Sequence, residues 1–188
     1  MDFDASILGA HVAPTASSLL SGLAVNITKV SGGTAGSAPS VSFTVLNGGK
    51  QPVALSQLSS ISFTMAGPTT DYGATIFGAN TGTPGYVTES ASKATCDNNG
   101  NCMYTFTNKV PANATGTYAV GVEARRSETV PELIHGATSQ VPISYGTPNS
   151  VMHFAVDNSP VAPRRSRSGA GELQPMPSEP PGSRRAAQ

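Results

Sequence analysis

Short segments in which apolar and polar residues alternate recur about every ten residues along the first 157 positions. In "SVSFTVL" the alternation places Val41, Phe43 and Val45 on one face, and "LAVNITKV" at residues 23–30 alternates in the same way. Alternation of this kind predicts half-buried β-strands, because successive side chains of a strand point to opposite faces. The segments are bounded by Gly, Pro, Asn and Ser, which predicts a series of antiparallel strands joined by turns.

The remaining strands are predicted in "ISFTM", "NCMYTFTN", "TYAVGVEA", "VPIS" and "VMHFAV", with a weaker pattern near "GYVTES". In "NCMYTFTN" the residues Cys102, Tyr104 and Phe106 fall on one face. No stretch keeps a helical period of 3.6 residues together with capping residues, so we expect little helix. The pattern predicts an all-β domain of seven or eight strands, arranged as an antiparallel sandwich or split barrel.

The clearest strand, "TYAVGVEA", aligns Tyr118 with Val120 and Val122 and follows Gly116. A Gly-x-Tyr before a strong strand resembles the tyrosine corner of immunoglobulin-like sandwiches, although Tyr118 is also interpretable as an ordinary core tyrosine. We therefore predict an immunoglobulin-like β-domain at residues 18–157. A lead-in segment is predicted at 1–17, and a linker with a disordered Pro- and Arg-rich tail at 158–188.

The composition narrows the class of protein. Charged residues make up 12% of the chain, about half the usual share, and the formal net charge is zero. A nucleic-acid-binding protein would carry a basic patch within its fold, whereas the arginines here crowd at 125–126, 164–167 and 184–185, and this argues against nucleic-acid binding. The richness in Gly, Ser, Thr and Asn is typical of an exported bacterial β-protein. The first 20 residues nevertheless lack a signal peptide, and no apolar run is long enough for a membrane span. As written, the chain is expected in the cytoplasm unless Met1 is an internal methionine of a longer exported protein.

The segment "CDNNGNC" predicts a hairpin with a three-residue loop, Asn98-Asn99-Gly100, in which Gly100 takes the left-handed conformation. This register places Cys96 opposite Cys102. Opposed Cα atoms lie about 4.5–5.5 Å apart, a span that a disulfide can bridge in an oxidising compartment. We interpret the pair as a structural disulfide, with a redox-responsive bond as the alternative. No second Cys or His pair follows, so the spacing does not fit zinc.

A calcium loop is a second interpretation of the same segment, because Asp97, Asn99 and Asn101 alternate as ligands do in EF-hands. The glycine stands at the fourth position rather than the sixth, and the twelfth position is Asn108 rather than Glu. We therefore favour a simple turn.

Other candidate ligands are dispersed along the chain. His11, His135 and His153 are far apart in sequence, and Asp71 and Tyr72 lie in a loop that could present a ligand site. Neither a nucleophile elbow nor a glycine-rich phosphate loop is present in the sequence. We predict no catalytic residues, no metal site and no cofactor held by this chain itself.

Several segments together resemble a known family: "DFDASILGAHVAPTASSLLSGL", "AGPTTDY", "ATGTYAVGVEARR" and "FAVDNSPVAPRR". They are similar to the outer-surface multihaem (decahaem) c-type cytochromes of the OmcA/MtrC type, over about residues 2–165. The matching part of that family is a haem-free β-domain beside haem-bearing domains. The sequence contains no Cys-x-x-Cys-His, so no haem ligand of the family transfers to any residue here.

The resemblance implies a parent protein at the outer membrane or cell surface that transfers electrons through c-type haems to external acceptors. It implies that the partners of this chain are the haem domains of the parent and other surface cytochromes. The role of the β-domain itself would be structural and docking, without catalysis. The alternative from another class is a stand-alone immunoglobulin-like adhesion or ligand-binding module of a bacterial surface protein. A carbohydrate-binding module is disfavoured, because aromatic residues are only 6% of the chain.

The tail contains a further signal when its codons are shifted by one base. Residues 172–178, "ELQPMPS", then permit Ser-Cys-Asn-x-Cys-His, and residues 182–186 permit x-His-Gly-Gly. The family continues with such a haem motif after "PRR". The hypothesis is that the tail is an out-of-frame translation, with the frame lost after about Arg165. The alternative is a genuine disordered tail, which the Pro-, Gly- and Arg-rich composition also fits.

Overall fold

The structure is a computed structural model that describes residues 19–72, 85–134 and 137–163. For residues 132–134 and 137–139 it describes the backbone only. Within these ranges the chain forms nine strands and one short 3₁₀ helix, Leu55–Gln57. The strands are β1 Ala24–Ser31, β2 Ser40–Leu46, β3 Ser60–Ala66, β4 Tyr86–Ser90, β5 Thr95–Cys96, β6 Asn101–Thr105, β7 Thr117–Ile134, β8 Ala137–Gly146 and β9 Ser150–Ala155. The predicted all-β fold is confirmed. The lead-in at 1–17 and the tail beyond residue 163 lie outside the described residues, as do the predictions made for them.

The strands form two antiparallel sheets that pack face to face. One sheet has the order β1-β2-β6-β5. In the other, β4 pairs with β3 and β3 with β7. The second edge of β7 pairs first with β9, along 117–122, and then with β8, along 125–134. β7 is therefore the longest strand and organises its whole sheet.

The core lies between the two sheets and is built by the alternation seen in the sequence. On β2 the predicted face of Val41, Phe43 and Val45 is almost fully buried. It meets the buried face of β3, where Phe43 contacts Phe63 edge-to-face at a ring-centroid distance of 5.0 Å. Full burial of an apolar side chain of this size contributes about 1.5–3 kcal/mol to folding. The alternation in the sequence therefore places the apolar side chains in the core, where their burial stabilises the fold.

Tyr118 occupies the centre of this core. Its side chain is fully buried, and its ring lies 6.3 Å from that of Phe154, centroid to centroid. A Cβ added to Gly67 would lie 2.3 Å from the Tyr118 ring, so this position has room only for glycine. The core placement of Tyr118 is established, and the tyrosine corner stays a prediction.

Two strands are longer than the sequence indicated. β7 has 18 residues and β8 has 10, whereas the pattern predicted only "TYAVGVEA" and "VPIS". Beyond Arg125, β7 pairs with β8 alone among the described strands. In the ribbon one face of β7 still points inward, but its first inward positions are the charged residues Arg126 and Glu128, so the apolar alternation of the strand ends at Ala124. The prolines Pro131 and Pro142 also sit in this ribbon, outside the central pairing of the sheet, where proline is tolerated.

One open side of the sandwich is closed by hydroxyl groups. At the free edge of β1, the backbone N–H of Val25 donates to Thr147 Oγ1 at 2.9 Å, and that of Ile27 donates to Ser150 Oγ at 3.0 Å. The β1 edge thus finds its hydrogen-bond acceptors on side chains of the β8–β9 loop and of the first residue of β9. This β1–β9 seam gives the fold a split-barrel character.

Candidate functional site

The cysteine hairpin has the register that its sequence predicted, with the two Cα atoms closer together than the expected separation of about 4.5–5.5 Å. Cys96 pairs directly with Cys102 across β5 and β6, and a disulfide joins them over a Cα–Cα distance of 4.0 Å. Gly100 has a φ of +78° in the left-handed region. Its amide donates to the carbonyl oxygen of Asp97 at 3.2 Å, which closes the turn. A Cβ at this position would approach the carbonyl oxygen of Val45 to 2.8 Å, so the hairpin also needs glycine to lie against β2.

Asp97, the acidic residue of this loop, forms hydrogen bonds with other residues of the same loop. Asp97 Oδ1 accepts hydrogen bonds from the backbone amides of Asn99 (2.8 Å) and Asn101 (2.9 Å), and Oδ2 accepts from the Asn101 side chain at 2.8 Å. These bonds, the Asn101 side chain foremost, lower the pKa of Asp97. Both oxygens are occupied within the turn, which supports the turn over the calcium loop. Across the described ranges, no three His, Cys, Asp or Glu residues come together as a metal-binding group would require.

A second acidic residue closes the other open side of the sandwich. Glu89 lies on the edge strand β4 opposite Phe63 of β3, so its side chain faces inward. Its Oε2 accepts from Tyr104 Oη at 2.6 Å and from the amide of Thr107 at 2.8 Å. Its Oε1 accepts from the amide and the side chain of Asn108, both at 2.7 Å. One carboxylate thus joins β4 of one sheet to β6 and the following loop of the other, and we call this set the Glu89 seam.

The Glu89 seam also sets the protonation of its own groups. Burial raises the pKa of Glu89, but the four hydrogen bonds outweigh it and bring the pKa below its usual value. Burial, followed by the hydrogen bond to Glu89 and its negative charge, raises the pKa of Tyr104 well above the ordinary tyrosine value. The pair is therefore a carboxylate and a neutral phenol at physiological pH. An inward charge of this kind also discourages strand addition at an exposed sheet edge.

A cleft of about 550 Å³ opens beside the Glu89 seam. Ser90, Ser92 and Lys93 line it together with the residues of the seam. Because the Glu89 oxygens are already saturated by backbone and side-chain donors, the carboxylate that borders this cleft is not available as a general base. The arrangement supports a structural role for Glu89.

A third cluster lies at the base of the β7–β8 ribbon. Arg126 Nη1 lies 2.9 Å from Glu128 Oε1, and both side chains are more than four-fifths buried. The backbone N–H of Ser21 donates to Glu128 Oε2 at 2.8 Å, and the Ser21 hydroxyl donates to Glu128 Oε1. Arg126 Nη1 in turn donates to the Ser21 hydroxyl at 2.7 Å. The buried hydroxyl of Tyr145 lies beside this cluster without a hydrogen bond of good geometry. Burial raises the pKa of Glu128, and the Ser21 bonds and Arg126 bring it below the usual value.

The end of the described chain is fixed by two buried threonines. Thr69 and Thr117 are the buried polar residues of the described ranges, 3% and 4% exposed. Thr117 Oγ1 accepts from the amide of Ala162 at 2.8 Å, and Thr69 Oγ1 donates to the carbonyl oxygen of Ala162 at 2.8 Å. We call this three-residue contact the exit junction, since the described chain ends one residue later.

The other candidate residues are in ordinary structural positions. His153 lies on β9 opposite Ala119 and is partly exposed. The amide of Asp71 donates to the carbonyl oxygen of Pro68 at 3.0 Å in a turn, and the carbonyl of Tyr72 lies against Gly85. His11 and His135 lie outside the residues whose side chains are described.

Sequence reasoning did not find the Glu89 seam, the Arg126–Glu128 cluster or the exit junction. One signal was present. In "YVTES" Val87 and Glu89 share the inward face, so a charge stands where alternation requires an apolar residue. The other two sites depend on contacts between distant segments, since Ser21 meets Glu128 across 107 residues and Thr117 meets Ala162 across 45.

Comparisons of this chain with protein-family models, with curated proteins and with solved structures gave no match. In the part of the chain that the structure describes, no helix has the length and hydropathy that a membrane crossing requires.

Proposed function

We propose that this chain is a haem-free structural and docking β-domain of an extracellular multihaem c-type cytochrome of the OmcA/MtrC type. In this proposal the parent protein transfers electrons to external acceptors, and the β-domain performs no catalysis and binds no cofactor of its own. The sequence resemblance over about residues 2–165 supports the family. The structural observation that best supports a structural and docking role for the domain is the exit junction.

The exit junction matters because neighbouring domains move relative to each other unless something fixes them. Ala162 immediately precedes the "PRR" segment after which the resembling family continues toward its first haem motif. Both of its backbone groups are bonded to buried threonines, so the position of Ala162 on the sandwich is set by the core. A domain that holds a neighbouring haem domain in place needs such a fixed position.

The disulfide supports an oxidising location. Disulfides persist in secreted proteins and at cell surfaces and are rare in the cytosol. The Cys96–Cys102 bond is local to one hairpin, and Cys102 is buried while Cys96 is exposed. This arrangement favours the structural disulfide over a redox centre of the electron-transfer chain.

The immunoglobulin-like assignment is part of the same proposal. The sheet order β1-β2-β6-β5 corresponds to strands A, B, E and D of that fold. The order β4-β3-β7-β9 corresponds to C′, C, F and G, and β8 inserts a long ribbon between F and G. Sandwiches of this class act widely as rigid modules at cell surfaces.

The first experiment is to resequence the source DNA across codons 150–188 and several hundred bases beyond. A single inserted or missing base that restores Cys-x-x-Cys-His, followed by further such motifs, supports the proposal. Expression of the restored frame with the haem-attachment machinery is then expected to give a product with a c-type haem absorption spectrum. An unchanged sequence with no haem motif in any neighbouring frame contradicts the proposal and favours the adhesion or ligand-binding module.

A further inference from the structure

The sequence contains two Asn-Gly peptides, Asn47-Gly48 and Asn99-Gly100, and the structure holds them very differently. Asn-Gly is the peptide most prone to deamidation, because glycine has no side chain to hinder attack by its own backbone nitrogen. The attack requires a free side-chain amide on the asparagine and a backbone N–H that can leave its hydrogen bond. The two sites therefore provide a comparison within one protein.

At Asn47 both reacting groups are held. Asn47 Oδ1 accepts from the amide of Gln51 at 2.8 Å. The amide of Gly48, which would be the nucleophile, donates to the carbonyl oxygen of Ser21 at 2.8 Å. Both bonds must open before the nitrogen can reach the side-chain carbon.

At Asn99 only one of the two reacting groups is held, the Gly100 amide, and its hydrogen bond is longer. Asn99 is exposed at the tip of the cysteine hairpin, and among the described residues its side-chain amide makes no hydrogen bond. The Gly100 amide donates to the carbonyl oxygen of Asp97 at 3.2 Å, the longest backbone hydrogen bond in the described turns and loops. Gly100 itself is buried against Val45, while the amide group that would leave faces solvent.

We propose that Asn99 is a site of spontaneous deamidation in the folded protein and that Asn47 is protected. The Gly100 nitrogen bonds to the Asn99 side-chain carbonyl carbon, the bond from that carbon to Nδ2 breaks, and ammonia leaves with the proton of the Gly100 amide. Water then opens the succinimide to an aspartyl or an isoaspartyl residue at position 99. The product places a new carboxylate beside Asp97, and the isoaspartyl form lengthens the loop backbone by one methylene. Because the Cys96–Cys102 disulfide links the two strands, the hairpin remains closed and the protein becomes more acidic without unfolding.

The test is to incubate the oxidised 188-residue protein at mildly alkaline pH, in parallel with the same protein reduced and unfolded in urea. Reduction, alkylation and trypsin then give peptides 30–50 and 94–109, which separate the two sites. Fragmentation mass spectrometry measures conversion at each asparagine. We expect folding to slow conversion at Asn47 about tenfold more than at Asn99, as one additional hydrogen bond to open implies.

The control variant is Asn99→Gln, which keeps the backbone contacts of the turn and forms a cyclic imide far more slowly. It is expected to abolish conversion in peptide 94–109. Equal protection of the two sites by folding, or greater protection of Asn99, overturns the inference. Conversion that persists in peptide 94–109 of the variant overturns it as well, since another asparagine is then responsible.

Discussion

Glu89→Gln is the substitution that most directly tests how this sandwich is closed. The carboxylate accepts four hydrogen bonds, two on each oxygen. Glutamine replaces one acceptor oxygen by an NH2 donor. Whichever way the amide turns, this NH2 faces the backbone N–H of Thr107 or Asn108, so at least one of the four bonds is lost and two donors face each other. A hydrogen bond to a charged group contributes about 1.5–3 kcal/mol when buried. Because the seam is partly exposed, we discount this for solvent screening and expect a loss of about 2–3 kcal/mol in the free energy of unfolding.

The assay is urea and thermal unfolding of the oxidised full chain, followed by circular dichroism. A loss of that size lowers the Tm by about 5–10 °C in a domain of this length. The matched control is Glu123→Gln, because Glu123 is 67% exposed and its partner Arg125 is 60% exposed. The control is expected to change stability by less than about 0.5 kcal/mol. If Glu89→Gln destabilises no more than Glu123→Gln, the carboxylate does not hold the two sheets together and the reasoning fails.

The Glu89→Gln substitution is also expected to change how the free energy of unfolding depends on pH. The folded-state pKa of Glu89 is lowered, so its contribution is fully present above the unfolded-state value. The contribution is lost as the pH falls through the lowered folded-state value. The wild-type protein should therefore lose stability more steeply on acidification than Glu89→Gln does. Parallel curves of stability against pH below the usual glutamate range would contradict the assignment.

Three further predictions concern the disulfide, the exit junction and the core. Replacing Cys96 and Cys102 together by Ala should lower the free energy of unfolding by about 2 kcal/mol, because the closed loop is short; an unchanged urea midpoint would contradict this. Thr117→Val removes the side-chain oxygen that accepts from the amide of Ala162, so hydrogen exchange at that amide should become faster while exchange in β2 is unchanged. An equal increase in exchange throughout the protein would indicate global destabilisation and contradict the prediction. Gly67→Ala drives a methyl group into the central tyrosine ring and should cost about 1–3 kcal/mol or more by thermal unfolding, whereas Gly116→Ala, with open space around it, should show only the backbone cost of its positive φ.

The parts of the structure that the sequence predicted are those that depend on neighbouring residues. Alternation in β2 identified the buried face, and the loop residues of the cysteine hairpin identified its register and its glycine. Both signals are local, since the alternation of a strand and the residue types that a tight turn requires are determined by a few neighbouring residues.

The parts that the sequence missed depend on contacts between distant residues. Glu89 finds its donors 15 to 19 residues away, and Thr69 meets Ala162 across 93 residues. Periodicity carries no information about such pairs. The length of β7 was missed for a related reason, because its inward positions 126 and 128 hold a charged pair where the apolar alternation of a core strand would continue. The family, the haem-bearing parent and the shifted frame rest on sequence resemblance and stay predictions.

The exit junction has a mechanical consequence. Tension applied to the chain beyond Pro163 reaches the two hydroxyl contacts at Ala162 before it reaches the backbone ladder between β9 and β7. Rupture of these contacts frees residues 158–162, which span at most about 17 Å at about 3.4 Å per residue. Asp157 stays bonded to the amide of Gly116, and both sheets remain intact. The sandwich thus carries a short extensible tether in series with a stiff body. A pull on this chain is absorbed by a few reversible hydrogen bonds before any strand is removed from the fold.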